Sequence, residues 1–142
     1  MNLSTRFTVA LHILTLLAYE SDQPVTSEYI AGSVNTNPVV VRRLLGTLRK
    51  ARMVCSQPGN GGGWELAIAP AKLTLASIRR AINEGSPFTM HSQPPNPRCP
   101  VGHNIQRALR PVFDRAERAM EQSLERTTVC DLLHAVQLSN RK

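Results

Sequence analysis

The chain has 142 residues, of which 42% are hydrophobic, and it carries a formal net charge of +7. This length and apolar content suit one compact domain that can bury a core. The basic balance favours an anionic partner, with nucleic acid first and an acidic protein or a membrane surface behind it.

The sequence lacks the features of a membrane protein, of a disulfide-bonded scaffold and of a zinc ribbon. The apolar run from Phe7 to Ala18 is far shorter than the ~20 residues of a membrane-spanning helix, and acidic residues follow it where small ones would mark signal cleavage. The cysteines at positions 55, 99 and 130 are an odd number without a C-x-x-C pair, which argues against a disulfide framework and a zinc ribbon. We therefore expect a soluble cytoplasmic protein.

Two helices are predicted in the N-terminal part of the chain. Apolar side chains recur there at helical spacing, as Phe7, Leu11, Leu14 and Ala18. This pattern predicts a first helix over about Ser4 to Tyr19. A short second helix should follow, with Thr26 as its N-cap and with Tyr29 and Ile30 facing inward.

The stretch from 35 to 54 contains five basic side chains and no acid. Asn37 is a good N-cap and Pro38 a good first residue, so a third helix is predicted from Pro38. Its apolar side chains fall on one face, as Val41, Leu44, Leu45 and Leu48. The opposite face carries Val39, Arg43, Gly46 and Lys50, with Arg42 and Thr47 on its flanks. The cations are therefore sorted to the outward face.

A glycine-rich hairpin and a fourth helix are predicted next. Residues 53–56 and 64–68 have the pattern of two strands joined by a turn that contains "GNGGG". That turn lacks the lysine and hydroxyl residue of a phosphate-binding loop, which argues against nucleotide binding. A fourth helix should cover Leu75 to Asn83, with Thr74 as its cap.

The second half of the chain is predicted to be a loop followed by two helices. Half of the ten prolines lie between 84 and 103, and such a density predicts a loop. A long helix over about Asn104 to Glu125 then carries an apolar stripe, Ile105, Leu109, Val112, Phe113, Ala116, Met120 and Leu124. Pro111 should kink this helix or mark its true start. A closing helix is predicted over Val129 to Val136.

This order of elements predicts a mostly α, α+β fold: a winged helix-turn-helix at 1–83, a proline-rich loop at 84–103, and a long helix with a C-terminal helix at 104–142. In such a fold the third helix enters the major groove of DNA and the hairpin, or wing, reaches the adjacent backbone or minor groove. The candidate DNA contacts are Ser4, Arg6, Asn37, Pro38, Val39, Arg42, Arg43, Thr47, Lys50, Asn60 and Gly61. The alternative is a solvated basic helix in a protein that does not bind DNA.

Several segments resemble the winged-helix repressors of the IscR, NsrR and CymR type, the Rrf-two family. They are "RFTVALHILTLLA", "VRRLLGTLRKARMVCSQPGNGGGWEL", "LTLASIRRAI" and "NPRCPVGHNIQRAL". The resemblance covers nearly the whole chain, and it implies that the proline-rich loop at 84–103 is regulatory and that the segment at 104–142 supplies the dimerisation helix. It implies a homodimeric transcription regulator whose long helix crosses that of its symmetry mate, and whose partners are an operator in double-stranded DNA and, in one branch of the family, a protein corepressor. A wide apolar stripe on the long helix independently favours a dimer.

Cys99 is the candidate sensor residue. Many members of that family hold an iron–sulfur cluster on three cysteines before the long helix. This chain has Cys99 alone there, and with His91 and His103 it would form an incomplete ligand set, so we expect no cofactor. Arg98 and the nearby helix N-terminus favour a reactive thiolate. The interpretation is an oxidant-sensing thiol that forms a sulfenic acid or a disulfide with Cys130 or a partner's Cys99.

Other functions stay open as alternatives. Cys99 could simply pack, or a metal, a cluster or a protein partner acting at the 91–103 loop could control a repressor in place of thiol oxidation. An enzyme is not expected, because Cys99 and His103 are the only nearby pair of nucleophile and base, and no acid lies between Glu84 and Asp114 to orient them.

Overall fold

The computed structural model describes residues 3–142, and at Leu3 and Ser4 it describes the backbone alone. The predicted DNA contact by the Ser4 side chain therefore lies outside the described residues. Six α-helices, a two-stranded antiparallel sheet and one 3-10 turn follow in order: α1 Leu3–Tyr19, α2 Ser27–Val34, α3 Pro38–Lys50, β1 Val54–Gln57, β2 Gly63–Leu66, the 3-10 turn Pro70–Lys72, α4 Leu75–Ala81, α5 Pro100–Glu125 and α6 Val129–Ser139. The predicted mostly α winged helix-turn-helix is confirmed.

Two capped helices form the helix-turn-helix. The Thr26 hydroxyl accepts a hydrogen bond from the Tyr29 N–H at 3.1 Å, and the Asn37 side-chain oxygen accepts one from the Val39 N–H at 2.8 Å. These bonds satisfy N–H groups that have no partner inside the helix, so both helices begin where the sequence predicts. Asn35 ends α2 in the left-handed region, at a φ of 63°.

The inward orientation predicted for Tyr29 is wrong. Its side chain is 54% exposed, whereas Ile30 is fully buried. The buried residues of α2 are Ser27, Ile30 and Ala31, whose spacing defines one helix face that Tyr29 does not share. The Tyr29 hydroxyl lies 2.9 Å from a Glu20 carboxylate oxygen, so it is satisfied outside the core.

The core lies between α1, α2, α3 and α4. Its fully buried large side chains are Ile13, Leu14, Ile30, Val41, Leu45, Leu48, Val54, Leu73, Ile78, Ile82 and Val129. All four residues predicted on the inner face of α3 are buried. Burial of such side chains contributes about 1.5–3 kcal/mol each before conformational entropy is subtracted. Packing therefore determines which face of α3 remains in solvent.

The wing is a short hairpin attached to the segment before α2. Its register runs from Val54 opposite Leu66 to Gln57 opposite Gly63, so each strand differs from its predicted bounds by one or two residues. Trp64 also exchanges two backbone hydrogen bonds with Val25, at 2.8 and 2.9 Å. Gly63 permits this approach, because a Cβ there would lie 2.6 Å from the Val25 carbonyl oxygen.

The second half of the chain departs from its predicted boundaries. Helix α5 begins at Pro100, four residues before the predicted Asn104, so the loop ends earlier than expected. A proline is pre-set for the first helical position, and the His103 N–H already donates to the Cys99 carbonyl at 2.8 Å. The helix continues through Pro111, which is not its start. Helix α4 ends at Ala81 and α6 extends to Ser139.

The chain divides into two compact units. One comprises the residues up to Glu84 together with Leu124–Lys142, and the other comprises Gly85–Ser123. Within the first unit α6 packs on α1 and on the 3-10 turn. Within the second, the Phe88 ring stacks on Phe113 with 5.0 Å between ring centroids. None of the helices in residues 3–142 is long and apolar enough to span a bilayer.

Candidate nucleic-acid interface

The outward face of α3 is polar, basic and accessible. Arg42, Arg43 and Lys50 are exposed, as is Val39 at 48%. Thr47 is half-buried, and its hydroxyl donates to the Arg43 carbonyl at 3.2 Å. The predicted separation of cations from core residues is therefore confirmed. An exposed cationic face on a 13-residue helix has the shape and charge that a DNA major groove accepts.

Arg42 is tied to α2. Its guanidinium forms an ion pair with the Glu28 carboxylate, and its Nε donates to the Ser27 hydroxyl at 3.1 Å. The backbone N–H of Glu28 lowers the pKa of that carboxyl, and the Arg42 charge lowers it further. Sequence reasoning missed Glu28 as part of this surface, because the partners are far apart in the chain and belong to different helices.

A further cation, Arg49 near the end of α3, contacts the wing. The Arg49 guanidinium carbon is 5.6 Å from the centroid of the Trp64 ring, a cation–π distance. Arg49 was not among the predicted contacts. The signal that could have found it is the tryptophan that follows a basic helix and a glycine-rich turn.

The wing tip is solvent-exposed. Asn60 and Gly61 are both exposed, and Gly61 has a φ of 75°. Below them, Gln57 donates to the Glu65 carboxylate at 2.5 Å across the hairpin. The tip therefore offers backbone groups and one amide to a DNA backbone, and no cation.

The remaining predicted contacts are Arg6, Asn37 and Pro38. Arg6 in α1 is half-buried. The Asn37 side-chain oxygen is occupied as the cap of α3, and Pro38 is half-buried at the first helical position. These two residues therefore set the start and direction of α3. Direct DNA contacts by any of these side chains stay predictions.

Cys99 lies at the N-terminus of α5 and is exposed. The backbone N–H groups of Gly102 and Val101 donate toward its sulfur and lower the pKa of the thiol. Gly102 allows the loop to fold over the helix end, because a Cβ there would lie 2.4 Å from the Asn96 carbonyl oxygen. The helix N-terminus is thus the cause of the shift, as the sequence suggested, whereas Arg98 is not.

The other two cysteines have different surroundings. Burial raises the pKa of the half-buried Cys55 thiol, and the nearby Glu65 carboxylate raises it further. Cys130 is also half-buried, with its sulfur 3.8 Å from Nε2 of His134. All three cysteines are free thiols.

The possible metal ligands of the loop do not converge. Nδ1 of the His91 ring lies 3.4 Å from the Gln106 side-chain nitrogen. Across residues 3–142, no three His, Cys, Asp or Glu side chains are grouped as they would be around a metal ion.

Comparison with known proteins places these features in a family. Residues 3–135 match the Rrf2 model, described as an iron-dependent transcriptional regulator. The HTH-type transcriptional regulator YwnA of Bacillus subtilis is 40% identical over 132 residues, which are 93% of this chain and 97% of YwnA. A crystal structure described as a DNA-binding protein shares 40% identity and a TM-score of 0.72, covering 90% of this chain and 98% of the other. CymR, the global cysteine regulator of Bacillus subtilis, shares 26% identity and a TM-score of 0.73, covering 95% of this chain and 98% of the other.

The iron named in the family description does not fit the residues present. The described side chains hold no three-ligand group, and Cys99 is exposed at a helix end with its sulfur facing backbone N–H groups. The expectation of no cofactor stays a prediction. The match over residues 3–135, the winged helix-turn-helix and the basic outward face of α3 show that the chain belongs to the Rrf2 family and is a DNA-binding transcriptional regulator.

Proposed function

We propose that this regulator is a homodimeric repressor that reads a two-fold-symmetric operator and responds to oxidants through Cys99. The observation that carries the proposal is the exposed basic face of α3 beside the wing. In the major groove, Arg43 reaches base edges or phosphates and Lys50 reaches a phosphate. Repression then needs only occupancy of an operator that overlaps a promoter.

The apolar stripe of α5 supports a homodimer. Within the second compact unit its apolar side chains are only half-buried or, at Val112, 46% exposed. They are arranged symmetrically about the middle of the helix: Ile105 mirrors Met120, Leu109 mirrors Ala116, and Val112 mirrors Phe113. Two antiparallel copies would therefore place Leu109 against Ala116, Val112 against Phe113 and Ile105 against Met120 on both sides of a two-fold axis.

The DNA proposal is tested by selecting binding sites from a pool of random duplexes with the purified protein. We expect an enriched palindrome with half-sites about 10 base pairs apart or a multiple of that spacing. Arg43→Ala and Lys50→Ala should each weaken binding and reduce the salt slope by about one unit. Arg141→Ala, which removes an equal charge from the C-terminal end, is the matched control. A folded protein that enriches no sequence would refute the proposal.

The homodimer is tested by measuring the mass of the protein in solution by sedimentation. Leu109→Glu places a charge in the proposed contact and should yield a monomer. Ala108→Glu, on an exposed neighbouring position of the same helix, should leave the dimer intact. Equal masses for the wild type and the Leu109 variant would show that α5 does not form the interface.

Thiol oxidation is proposed with a peroxide as the oxidant. The Cys99 thiolate attacks one peroxide oxygen, the S–O bond forms as the O–O bond breaks, and hydroxide leaves, so that sulfur loses two electrons to the peroxide. A second thiol can then displace water to form a disulfide. Oxygen on this sulfur would disturb its contacts with the Val101 and Gly102 N–H groups, and hence the start of α5.

The redox proposal is tested by titrating operator binding before and after stoichiometric peroxide. We expect a loss of affinity that a thiol reductant reverses. Cys99→Ser should bind the operator and ignore peroxide, while Cys55→Ser should respond as the wild type does. If the Cys99 variant still loses operator affinity after peroxide, another group is the sensor. If the affinity of the wild type does not change, a thiol switch is excluded.

A further inference from the structure

Glu28 is an acidic residue beside the basic outward face of α3. Its side chain is 64% exposed and forms an ion pair with Arg42 of α3. A carboxylate at this place repels DNA phosphates, so it opposes the unselective part of binding. It also lies in the first turn of α2, where the helix dipole favours a negative charge.

The contacts of Arg42 orient its guanidinium. Nε donates to the hydroxyl of Ser27, which is only 8% exposed, and Nη2 donates to Glu28. Two donors on one edge are thereby engaged by α2, while no acceptor within residues 3–142 is bonded to the Nη1 donors. Because the guanidinium is planar, holding one of its edges fixes the direction in which the donors of the other edge point. A freely rotating arginine side chain has no such fixed direction.

We propose that Glu28 is a specificity-determining residue of the DNA interface. Together with Ser27 it directs the free edge of Arg42 toward a guanine in the major groove, and it withholds that guanidinium from phosphates of any sequence. The guanine O6 and N7 atoms are the acceptors that match an arginine fork. The proposal rests on the placement of α3 in the groove, and an exposed ion pair of this kind contributes little to folding stability.

Glu28→Gln tests this role, because it removes the charge and keeps the size of the side chain. The probes are the duplex enriched by the wild-type protein and a shuffled duplex of the same length. We expect the ratio of the two affinities to fall by about fivefold or more, since one good arginine–guanine contact discriminates by that factor. The salt slope on the shuffled duplex should steepen by up to about one unit, as the freed Arg42 meets a phosphate.

Two variants control for charge and for the fork. Asp22→Asn removes the same charge from the exposed turn after α1 and should leave the affinity ratio unchanged. Arg42→Lys keeps the cation and loses the planar fork, so it should lower the ratio as Glu28→Gln does. In an Arg42→Ala background, Glu28→Gln should have no further effect on the ratio.

The outcomes separate this proposal from the one on which it rests. If Arg43→Ala and Lys50→Ala weaken binding while Glu28→Gln leaves the ratio unchanged, the role of Glu28 is refuted alone. The same holds if Asp22→Asn lowers the ratio equally, because the effect is then one of net charge. If no duplex is enriched, or if Arg43 and Lys50 have no effect, the placement of α3 fails and the role of Glu28 fails with it.

Discussion

Gly46 occupies the outward face of α3, and a Cβ there would have no heavy atom within 4 Å. Gly46→Ala should therefore raise the free energy of unfolding by about 0.5–1 kcal/mol, because glycine is a poor helix former. It should at the same time weaken operator binding, since a methyl group would hold the helix backbone away from DNA. Urea unfolding and binding titrations measure the two effects.

Gly32 provides the control for this prediction. It is an exposed helical residue of α2, and a Cβ there would likewise have no heavy atom within 4 Å. Gly32→Ala should give the same gain in stability and leave operator affinity unchanged. A Gly46 variant that binds as well as the wild type would show that the backbone of α3 does not approach the groove at that point.

The Cys99 thiol provides a pH prediction. Hydrogen bonds from the Gly102 and Val101 N–H groups lower its pKa, whereas burial raises that of Cys55. The reactive thiolate of Cys99 thus forms at lower pH, so its alkylation rate should reach half of its plateau at a pH below the pKa of an ordinary thiol. The alkylation rate of Cys55 should reach half of its plateau above that pKa. Peptide mapping after iodoacetamide pulses measures both rates in one sample. The reverse order would contradict the placement of Cys99 at the helix end.

At the level of elements, α6 is held at its start by a capping box. The Thr128 hydroxyl accepts from the Asp131 N–H, and the Asp131 carboxylate accepts from the Thr128 N–H at 2.8 Å. Thr128→Ala should lower the free energy of unfolding by about 1 kcal/mol, because it leaves helix N–H groups without a partner. Chemical denaturation measures the loss, with the exposed Gln137→Ala as the control. Equal stabilities for both variants would show that the cap is dispensable.

Some features of the helices can be predicted from sequence patterns alone. The start of α3 follows from Asn37 and Pro38, which act through the nearest turn of backbone, and the burial of one face follows from helical periodicity. The predicted start of α5 lies four residues after the observed one, at Pro100. Proline is common both in loops and at the first position of a helix, so its presence there does not distinguish the two. Helix ends are set by local competition of this kind, which composition alone does not resolve.

For the whole molecule, the charges of α5 predict how two copies align. Arg110 and Glu117 flank the apolar stripe on the same side and on opposite halves of the helix. In the proposed antiparallel pair, Arg110 of one protomer therefore approaches Glu117 of its partner. Arg110→Glu should weaken the dimer by up to about tenfold, and combining it with Glu117→Arg should restore it. Sedimentation at low ionic strength measures both effects, and failure of the double variant to recover would argue for another alignment.

The amino-acid sequence alone is enough to predict the order of helices and hairpin, the caps of α2, α3 and α4, and the outward face of α3, because each depends on residues within a turn or two of one another. Three contacts are set by the folding of the whole chain: Glu28 pairs with Arg42, Arg49 lies over Trp64, and α6 packs on α1. These contacts join segments that are distant in the chain. Their partners are chosen by how the core packs, and periodicity carries no information about that choice.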